Sequence, residues 1–281
     1  MTLVVTGAAG RVGRALRLAW RLMDGPAPDV LWLGRKSGQD IDITWDIDKD
    51  LPPLLPAGAV WLHLAGQTQG DASALAENRR MAQAISLAAR ERAARHVILM
   101  SSVAVYRPGP DLLSERDAPN PASPYGSSKL AAERAATQVL AGSSCGLTIL
   151  RLGNLAGADA LLRPRPPGEI ITLDPVLGQP HGPERSYIGP MALATVLRQL
   201  LDRLETGSAL PLCLNIAQPP ALAMADLLDA RQQTWRFGPA NPKVVPRVAV
   251  DTTLLASLTT LSPVTPASLI ADLDTFAGAW P

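Results

Sequence analysis

Three side chains in the sequence are of the types that exchange protons with an oxygen atom of a substrate. Tyr125 and Lys129 are four residues apart, and Ser102 stands at the end of an apolar run. Positions i and i+4 share one face of a helix, so the Lys129 ammonium can reach the neighbourhood of the Tyr125 hydroxyl and favour its phenolate. A serine from a separate strand can hold a carbonyl or alcohol oxygen beside that phenol, as a general acid or base requires. Such a site fits hydride-transfer chemistry if the chain also binds a hydride carrier.

A glycine-rich turn near the start of the chain predicts the site of that carrier. Residues 3–6 are typical of a short buried strand, and Gly7, Gly10 and Gly13 follow directly, before a helical pattern of apolar residues. Glycines allow the backbone to approach a ligand closely, and the free amides of a helix N-terminus attract a pyrophosphate. The turn therefore indicates a dinucleotide site. An ordinary strand-to-helix turn is the alternative for this motif taken alone.

The elements that must position these residues alternate between strand and helix patterns, which predicts an α/β fold with a doubly wound parallel sheet. Strands are expected at 3–6, 30–34, just before Asp46, and at 59–65, 96–101 and 147–151, with helices at 11–23, 73–94, 124–141 and 190–205. The proline-rich stretch from Arg163 to Pro190 is expected to form a mobile cover without core elements, above the carboxyl edge of the sheet, where ligands bind in such folds.

Several motifs occur together in an order that resembles one family. They are Thr6 to Gly13, His63 to Gly66, Asn78, Ser102, Tyr125, Lys129 and Arg151 to Asn154. The chain is similar to the extended short-chain dehydrogenase/reductases, in the NAD-dependent epimerase/dehydratase (nucleotide-sugar epimerase) branch, with strong motifs from residue 2 to about residue 217. The resemblance implies a Rossmann-like NAD(P)-binding domain at 1–157, to which 186–217 return. It also implies a small C-terminal α/β substrate-binding lobe formed by 158–185 and 218–281.

The resemblance implies a role for each candidate residue. Tyr125 would exchange a proton with the substrate oxygen, Lys129 would stabilise the phenolate and hold the nicotinamide ribose, and Ser102 would donate a hydrogen bond to the oxygen. The implied cofactor contacts are Gly7, Gly10, Arg11, Val12, Gly13, Arg35, Asp46, Ile47, Leu64, Ala65, Gly66, Tyr125, Lys129 and Leu152, and the implied substrate contacts are Val103, Asn154 and Arg185. Asp46 is equally an ordinary turn former, and Arg185 is as consistent with a solvated loop cation.

Basic residues at the end of the second strand favour NADP(H) over NAD(H). Gly34 is followed by Arg35 and Lys36, two cations suited to a 2′-phosphate. An acidic residue at this place would instead accept hydrogen bonds from the adenosine ribose. The alternative is that Arg35 is a surface residue or stacks on the adenine.

The absence of acidic residues after Ser102 limits the types of reaction that the chain could catalyse. Val103 and Ala104 stand where dehydratases of this branch carry an acidic pair, so dehydration is disfavoured. Reduction, oxidation or epimerisation of a sugar or sugar-nucleotide hydroxyl or carbonyl remains, and all use the same three side chains. Residues 189–192 replace a stretch that usually carries histidine and aspartate, so a small non-sugar ketone or lactone stays open as substrate. A non-catalytic NADP(H)-binding sensor or scaffold is the alternative from another functional class.

Composition limits the partners. The chain has 281 residues, is 47% hydrophobic and carries a net charge of +1, so it can bury a large core but offers nucleic acid no electrostatic surface. A first strand at residue 2 leaves no room for a signal sequence, and no apolar run reaches membrane-spanning length, so a soluble cytoplasmic protein is expected. Cys145 and Cys213 are expected to be buried free thiols, and the three histidines have no metal-site spacing, so no metal is expected.

Assembly is a hypothesis at this stage. The helices expected at 73–94 and 124–141 resemble those that pair across a two-fold axis in related enzymes. Their alanine-rich faces permit close packing. A homodimer built on these helices is therefore possible.

Overall fold

The computed structural model describes residues 1–25, 27–166 and 168–276. Its strands are β1 (Thr2–Thr6), β2 (Asp29–Gly34), β3 (Ile43–Thr44), β4 (Val60–His63), β5 (His96–Ser102), β6 (Gly146–Leu152), β7 (Asn154–Leu155), β8 (Ile171–Leu173), β9 (Glu184–Ile188), β10 (Cys213–Ile216), β11 (Gln218–Ala223), β12 (Trp235–Phe237) and β13 (Arg247–Val248). Its helices are α1 (Arg11–Leu22), α2 (Ala72–Glu91), α3 (Pro124–Leu140), α4 (Pro190–Glu205), α5 (Met224–Ala230), α6 (Thr253–Leu258) and α7 (Pro266–Asp274), and a 3₁₀ turn covers Val103–Val105.

The main sheet has seven strands in the order β10-β6-β5-β4-β1-β2-β3. The pairs β1–β2, β1–β4, β2–β3 and β4–β5 are parallel. All four residues of β4 are buried, as expected for a parallel strand covered by helices on both faces. The predicted α/β fold, a Rossmann-like doubly wound parallel sheet with a smaller C-terminal α/β lobe, is confirmed.

Local signals fix the helices that carry the site. Ser123 caps α3, because its side chain accepts a hydrogen bond from the Gly126 amide, and Pro124 stands in the first turn, where its missing N–H costs nothing. Asp71 caps α2 in the same way through the Ala74 amide. Apolar residues of α2, α3 and the strands then bury one another, among them Ile85, Ala89, Leu140, Trp61 and Val97.

The chain divides into two compact units. The first comprises Met1–Arg107, Ala118–Arg151 and Leu200–Leu214, and the second comprises Pro108–Asp117, Leu152–Gln199 and Asn215–Pro281. These bounds differ from those of the predicted domains, because 108–117, 152–157, 186–199 and 215–217 group with the second unit. The predicted binding function of each domain stays a prediction, and the part of the predicted lobe at 277–281 lies outside the described residues.

The second unit has its own core, and it corrects one expectation. β9 pairs with β11, β13 and β7, while β8 pairs with β12. Ile171, Leu173 and Tyr187 are all buried in a cluster with α5 and α7. The prediction that residues from Arg163 to Pro190 contain no core element was therefore wrong: the prolines and glycines flank two short strands instead of excluding them. Pro167, within that stretch, lies outside the described residues.

Three general properties follow from the described part of the chain. No helix there is long and apolar enough to cross a membrane. No three histidine, cysteine or acidic side chains there group closely enough to hold a metal ion. Cys145 is a buried free thiol as predicted, whereas Cys213 is only partly buried, unlike the prediction.

Candidate active site

The turn between β1 and α1 is shaped by contacts that exclude side chains. Gly7 has φ of +81°, and a Cβ atom added there would lie 2.4 Å from the Ala65 amide nitrogen. A Cβ atom on Gly13 would lie 2.5 Å from the Gly7 carbonyl oxygen. Only glycine fits both places. The turn thus packs against the end of β4 and presents the first amides of α1, a cradle that fits the pyrophosphate of a dinucleotide.

Two groups of predicted cofactor-binding residues lie together in the structure: those of the glycine-rich turn and those that follow β4. Leu64 donates its amide hydrogen to the Thr6 carbonyl oxygen, so Leu64, Ala65 and Gly66 lie beside the Gly7–Gly13 turn. Arg11 and Val12 occupy the first turn of α1. Arg11 reaches from there to Thr68, with 3.4 Å between its Nη2 and the threonine Oγ1.

Ser102 and Tyr125 meet although 22 residues separate them. Ser102 ends β5, where its Oγ accepts a hydrogen bond of 3.2 Å from the Ala104 amide and caps the 3₁₀ turn. Its side chain also hydrogen-bonds the Tyr125 side chain at the start of α3. Burial raises the pKa of Tyr125, while the bond to Ser102 and the positive charge of Arg11 act in the opposite direction. Tyr125 is therefore a protonated phenol at neutral pH.

Lys129 lies one helical turn further along α3 and is 6% exposed. Its Nζ donates a hydrogen bond of 2.6 Å to the Met100 carbonyl oxygen of β5. Burial lowers the pKa of Lys129 to about 8, against the opposing charge of Glu133. The positive charge that acts to lower the pKa of Tyr125 in this arrangement is that of Arg11, and the effect of Lys129 on the Tyr125 phenolate stays a prediction.

Asn78 and His63 are two further polar residues near Lys129, and each forms hydrogen bonds with neighbouring elements. Asn78 of α2 accepts a hydrogen bond of 2.7 Å from the Gln67 amide and donates one of 2.9 Å to Ser128 Oγ. Ser128 in turn donates to the Tyr125 carbonyl oxygen at 2.7 Å. His63 Nδ1 lies 2.6 Å from Thr6 Oγ1, and burial together with the Lys129 charge lowers the pKa of His63 to about 3. His63 is consequently neutral.

The residues predicted to contact the adenosine part lie beyond β2 and β3. Arg35 is exposed after β2, and Glu77 of α2 is close enough for the Arg35 charge to help lower the pKa of its carboxyl, whose main partner is Arg80. Asp46 accepts a hydrogen bond of 3.2 Å from the Asp48 amide, which is the turn-forming contact foreseen as an alternative. Ile47 packs partly buried against the core.

The predicted substrate contacts fall in different units. Val103 is buried in the 3₁₀ turn of the first unit. Leu152, a predicted cofactor contact, and Asn154 and Arg185 belong to the second. Arg185 lies in β9 and donates hydrogen bonds of 2.7 Å and 2.9 Å to the carbonyl oxygens of Glu184 and Val245, so the loop-cation alternative was wrong. Asn154 hydrogen-bonds the Tyr187 side chain.

Sequence reasoning missed Glu133, which contacts Ser101 and Arg151 in the buried interior behind Lys129. It assigned Asn78 no role, although this residue joins α2 to the start of α3. The sequence does contain a signal for Glu133: it follows Lys129 by four residues, as Lys129 follows Tyr125, so the three share one face of a helix.

Comparison with known proteins gives a family and a fold. The sequence model of the NAD dependent epimerase/dehydratase family matches residues 3–172. No curated protein sequence matches the chain. Among solved structures, MoeE5 in complex with UDP-glucose and NAD is similar with a TM-score of 0.75 and 22% identity, over 98% of this chain and 99% of that one.

Two epimerases from Bacillus cereus are similar to the same degree. UDP-glucuronic acid 4-epimerase in complex with NAD has a TM-score of 0.78 and 19% identity, over 100% of both chains. UDP-N-acetylglucosamine 4-epimerase has a TM-score of 0.76 and 19% identity, over 99% of this chain and 100% of that one. At such low identity, these three likenesses show the fold alone.

Proposed function

Because the chain belongs to the NAD dependent epimerase/dehydratase family, we propose that it is an NAD(P)-dependent epimerase or oxidoreductase of sugar nucleotides with a Ser102–Tyr125–Lys129 site. The observation that carries this proposal is the side-chain hydrogen bond between Ser102 and Tyr125, from separate elements, with a buried amine one helical turn away. This is the arrangement that proton exchange with a substrate oxygen requires.

Each residue has a task that follows from its surroundings. When bound, NAD(P) supplies or accepts a hydride at a substrate carbon. Tyr125, protonated at neutral pH, gives its proton to a carbonyl oxygen, and in the reverse direction its phenolate takes the proton of an alcohol. Ser102 donates a hydrogen bond to the oxygen as charge develops. The Lys129 ammonium and the Arg11 guanidinium favour the phenolate.

Likeness to solved complexes supports sugar nucleotides as the substrate class, and the residues beside Ser102 disfavour dehydration. The solved structures similar to this chain over nearly their whole length include one in complex with UDP-glucose and another with UDP-glucuronic acid. Val103 and Ala104 supply no acid or base beside Ser102 for the removal of water. Both directions of hydride transfer remain within reach of the same three side chains, so oxidation, reduction and epimerisation are all included in the proposal.

A substrate screen tests it. The purified protein is incubated with NAD⁺ or NADP⁺ and with UDP-glucose, UDP-glucuronic acid, free sugars or small ketones, while nicotinamide absorbance and epimeric products are followed. Epimer formation without net absorbance change identifies an epimerase, and net reduction of the cofactor identifies a dehydrogenase. Cofactor binding without turnover of any substrate class would contradict the enzyme and favour the sensor or scaffold.

We further propose NADP(H) as the preferred cofactor, because Arg35 and Lys36 follow β2 where an acidic residue would favour NAD(H). The solved structures that name a cofactor carry NAD, and Glu77 stands near enough to Arg35 to compete with a phosphate. We expect R35A to weaken NADPH binding by at least about tenfold and NADH binding by much less, measured by fluorescence titration, since one charged hydrogen bond contributes about 1.5 to 3 kcal/mol. K49A removes an exposed cation elsewhere as a control. Equal weakening of both cofactors would refute the preference.

We also propose a homodimer formed through α2 and α3. The two helices lie side by side, and Leu87 on α2 is 42% exposed. Sedimentation velocity at micromolar concentration tests this assembly, and a monomer there would exclude it.

A further inference from the structure

A polar network is buried behind the candidate catalytic residues. Glu133 of α3 and Arg151 of β6 are 4% and 6% exposed. Arg151 donates to both carboxylate oxygens, with 3.2 Å from Nε to Oε1 and 2.9 Å from Nη2 to Oε2. Ser101 Oγ donates to the same Oε1 at 2.5 Å. Arg151 Nη1 donates to the Tyr106 hydroxyl at 2.9 Å. Every member is buried and paired, which is the condition under which such a network rigidifies its surroundings.

The network joins the elements that carry Ser102, Tyr125 and Lys129. Ser101 precedes Ser102 on β5, and Tyr106 directly follows the 3₁₀ turn that Ser102 caps. Glu133 follows Lys129 by one helical turn, so Tyr125, Lys129 and Glu133 lie along one side of α3. A displacement of Glu133 would therefore move the end of β5 relative to α3.

The charges in this interior are unequal. Lys129 and Arg151 are cations, and the Glu133 carboxylate pairs with Arg151 and acts on Lys129. Burial lowers the pKa of Lys129 while Glu133 raises it. His63 from β4, whose pKa the Lys129 charge helps to lower, is neutral, and the Met100 carbonyl oxygen of β5 accepts the hydrogen bond of Lys129. Burial opposes the charge of Arg151, and its hydrogen bonds to Glu133 overcome this and raise its pKa.

We propose that Glu133 is a positioning residue, whose carboxylate keeps the buried Lys129 side chain an ammonium ion and fixes the end of β5 against α3. Its effect on turnover rests on the proposed function, whereas its effect on Lys129 is a property of the protein alone. Without the carboxylate, two cations would share a buried region with no counter-charge, and Lys129 would release its proton at lower pH.

The proton of Lys129 can be observed directly, because the chain has four lysines, Lys36, Lys49, Lys129 and Lys243. Lysine labelled with ¹³C at Cε gives four NMR signals, and K129R identifies the one from Lys129. We expect E133Q to shift the Lys129 titration to lower pH by about one unit, a typical size for the loss of one nearby charge. E91Q, which removes an exposed carboxylate from the end of α2, is the matched control and should leave that titration unchanged.

A second variant covers the event that E133Q does not fold. E133Q/R151Q removes both charges of the pair, so it leaves no unpaired guanidinium, and Lys129 should still titrate below its pH in the wild-type protein. In the same variants, the pH at which kcat falls as Lys129 loses its proton should move together with the NMR titration. A purely structural role of Glu133 would lower kcat at all pH values without this shift.

The outcomes distinguish the role of Glu133 from the proposed function of the protein. An unshifted Lys129 titration in E133Q and in E133Q/R151Q would overturn the role of Glu133, whatever the turnover. Wild-type protein that converts no sugar nucleotide would overturn the proposed function, while the titration of Lys129 would still measure what Glu133 does.

Discussion

The two regions that hold candidate site residues use their polar side chains in different ways. Around Tyr125, two side chains from separate elements bond each other, and a buried amine donates to a main-chain carbonyl beside them. Around Arg185, the guanidinium bonds the carbonyls of Glu184 and Val245, and the Tyr187 hydroxyl bonds the Asp159 carboxylate at 3.3 Å. Both regions bury a tyrosine beside other titratable groups, but the charge of Arg11 acts to lower the pKa of Tyr125, whereas the Asp159 carboxylate adds to burial in raising the pKa of Tyr187. The second region uses its polar groups to hold strands and loops of its own unit.

The difference teaches which polar residues can do chemistry. A buried group whose proton is shared with another side chain can exchange that proton with a substrate, whereas a guanidinium already bonded to two main-chain oxygens has fewer donors to offer. We therefore weight Ser102, Tyr125 and Lys129 above Arg185 as functional candidates.

A matched pair of tyrosine substitutions tests this comparison most strongly. Y125F should lower kcat on the order of 10²- to 10⁴-fold, the usual contribution of a general acid or base, with cofactor binding and stability nearly unchanged. Y187F should retain turnover and lose about 1 kcal/mol of unfolding free energy, because it removes a buried hydrogen bond. Turnover assays, cofactor titration and urea denaturation on both variants give the answer. Equal loss of turnover in the two would erase the distinction between the regions.

The sequence predicted the first region better than the second, for physical reasons. The four-residue spacing of Tyr125 and Lys129 and the Gly7–Gly13 turn are local signals that a single element expresses. The bond between Ser101 and Glu133 and the pairing of Glu133 with Arg151 join residues of different elements, so no local pattern contains them.

In the second region, β8 has only three residues between proline- and glycine-rich flanks, and its burial comes from packing within the second unit. The prolines and glycines around β8 predicted a surface loop, but packing against the rest of the second unit makes this segment a strand of the core. The hydrogen bond of Arg185 to the Val245 carbonyl oxygen likewise joins residues 60 positions apart, so no local pattern predicts it.

Glycine substitutions sharpen the comparison at the level of the backbone. G7A should cost about 3 kcal/mol of unfolding free energy and abolish tight cofactor binding, because it combines a positive φ with overlap against Ala65. G109A, in the second unit, adds a methyl group with no atom within 4 Å and should change stability by less than about 0.5 kcal/mol. Thermal denaturation and cofactor titration measure both. A G7A protein that binds cofactor normally would remove the turn from the cofactor site.

Acid should weaken the first unit through its buried histidines. Burial lowers the pKa of His63 to about 3 and that of His96 to about 4, below the unfolded value of about 6.5, so the unfolded chain takes up protons first. Their stabilisation of the folded state is complete above pH 6.5 and is lost as pH falls towards 4 for His96 and towards 3 for His63. In that window, each of the two histidines should lower the free energy of unfolding by about 1.4 kcal/mol for every pH unit of acidification. Urea denaturation between pH 7 and 4 measures the slope, which H96Q should reduce; an unchanged slope would contradict the assignment.

The smallest expected effect comes from Arg185, and it can break the comparison. R185K keeps the charge but cannot reach the carbonyls of Glu184 and Val245 in the planar geometry of a guanidinium, so it should cost about 1 kcal/mol of unfolding free energy. R185M removes the charge as well. If Arg185 only holds β9, both variants should lose similar stability and keep KM for the sugar nucleotide within a few fold. If it also binds a substrate phosphate, R185M alone should raise KM strongly, because only that variant removes the positive charge. A strong rise in KM for R185M alone would show that Arg185 binds a substrate group while it keeps its hydrogen bonds to the main chain. Internal hydrogen bonding of a polar side chain would then no longer distinguish the second region from the first.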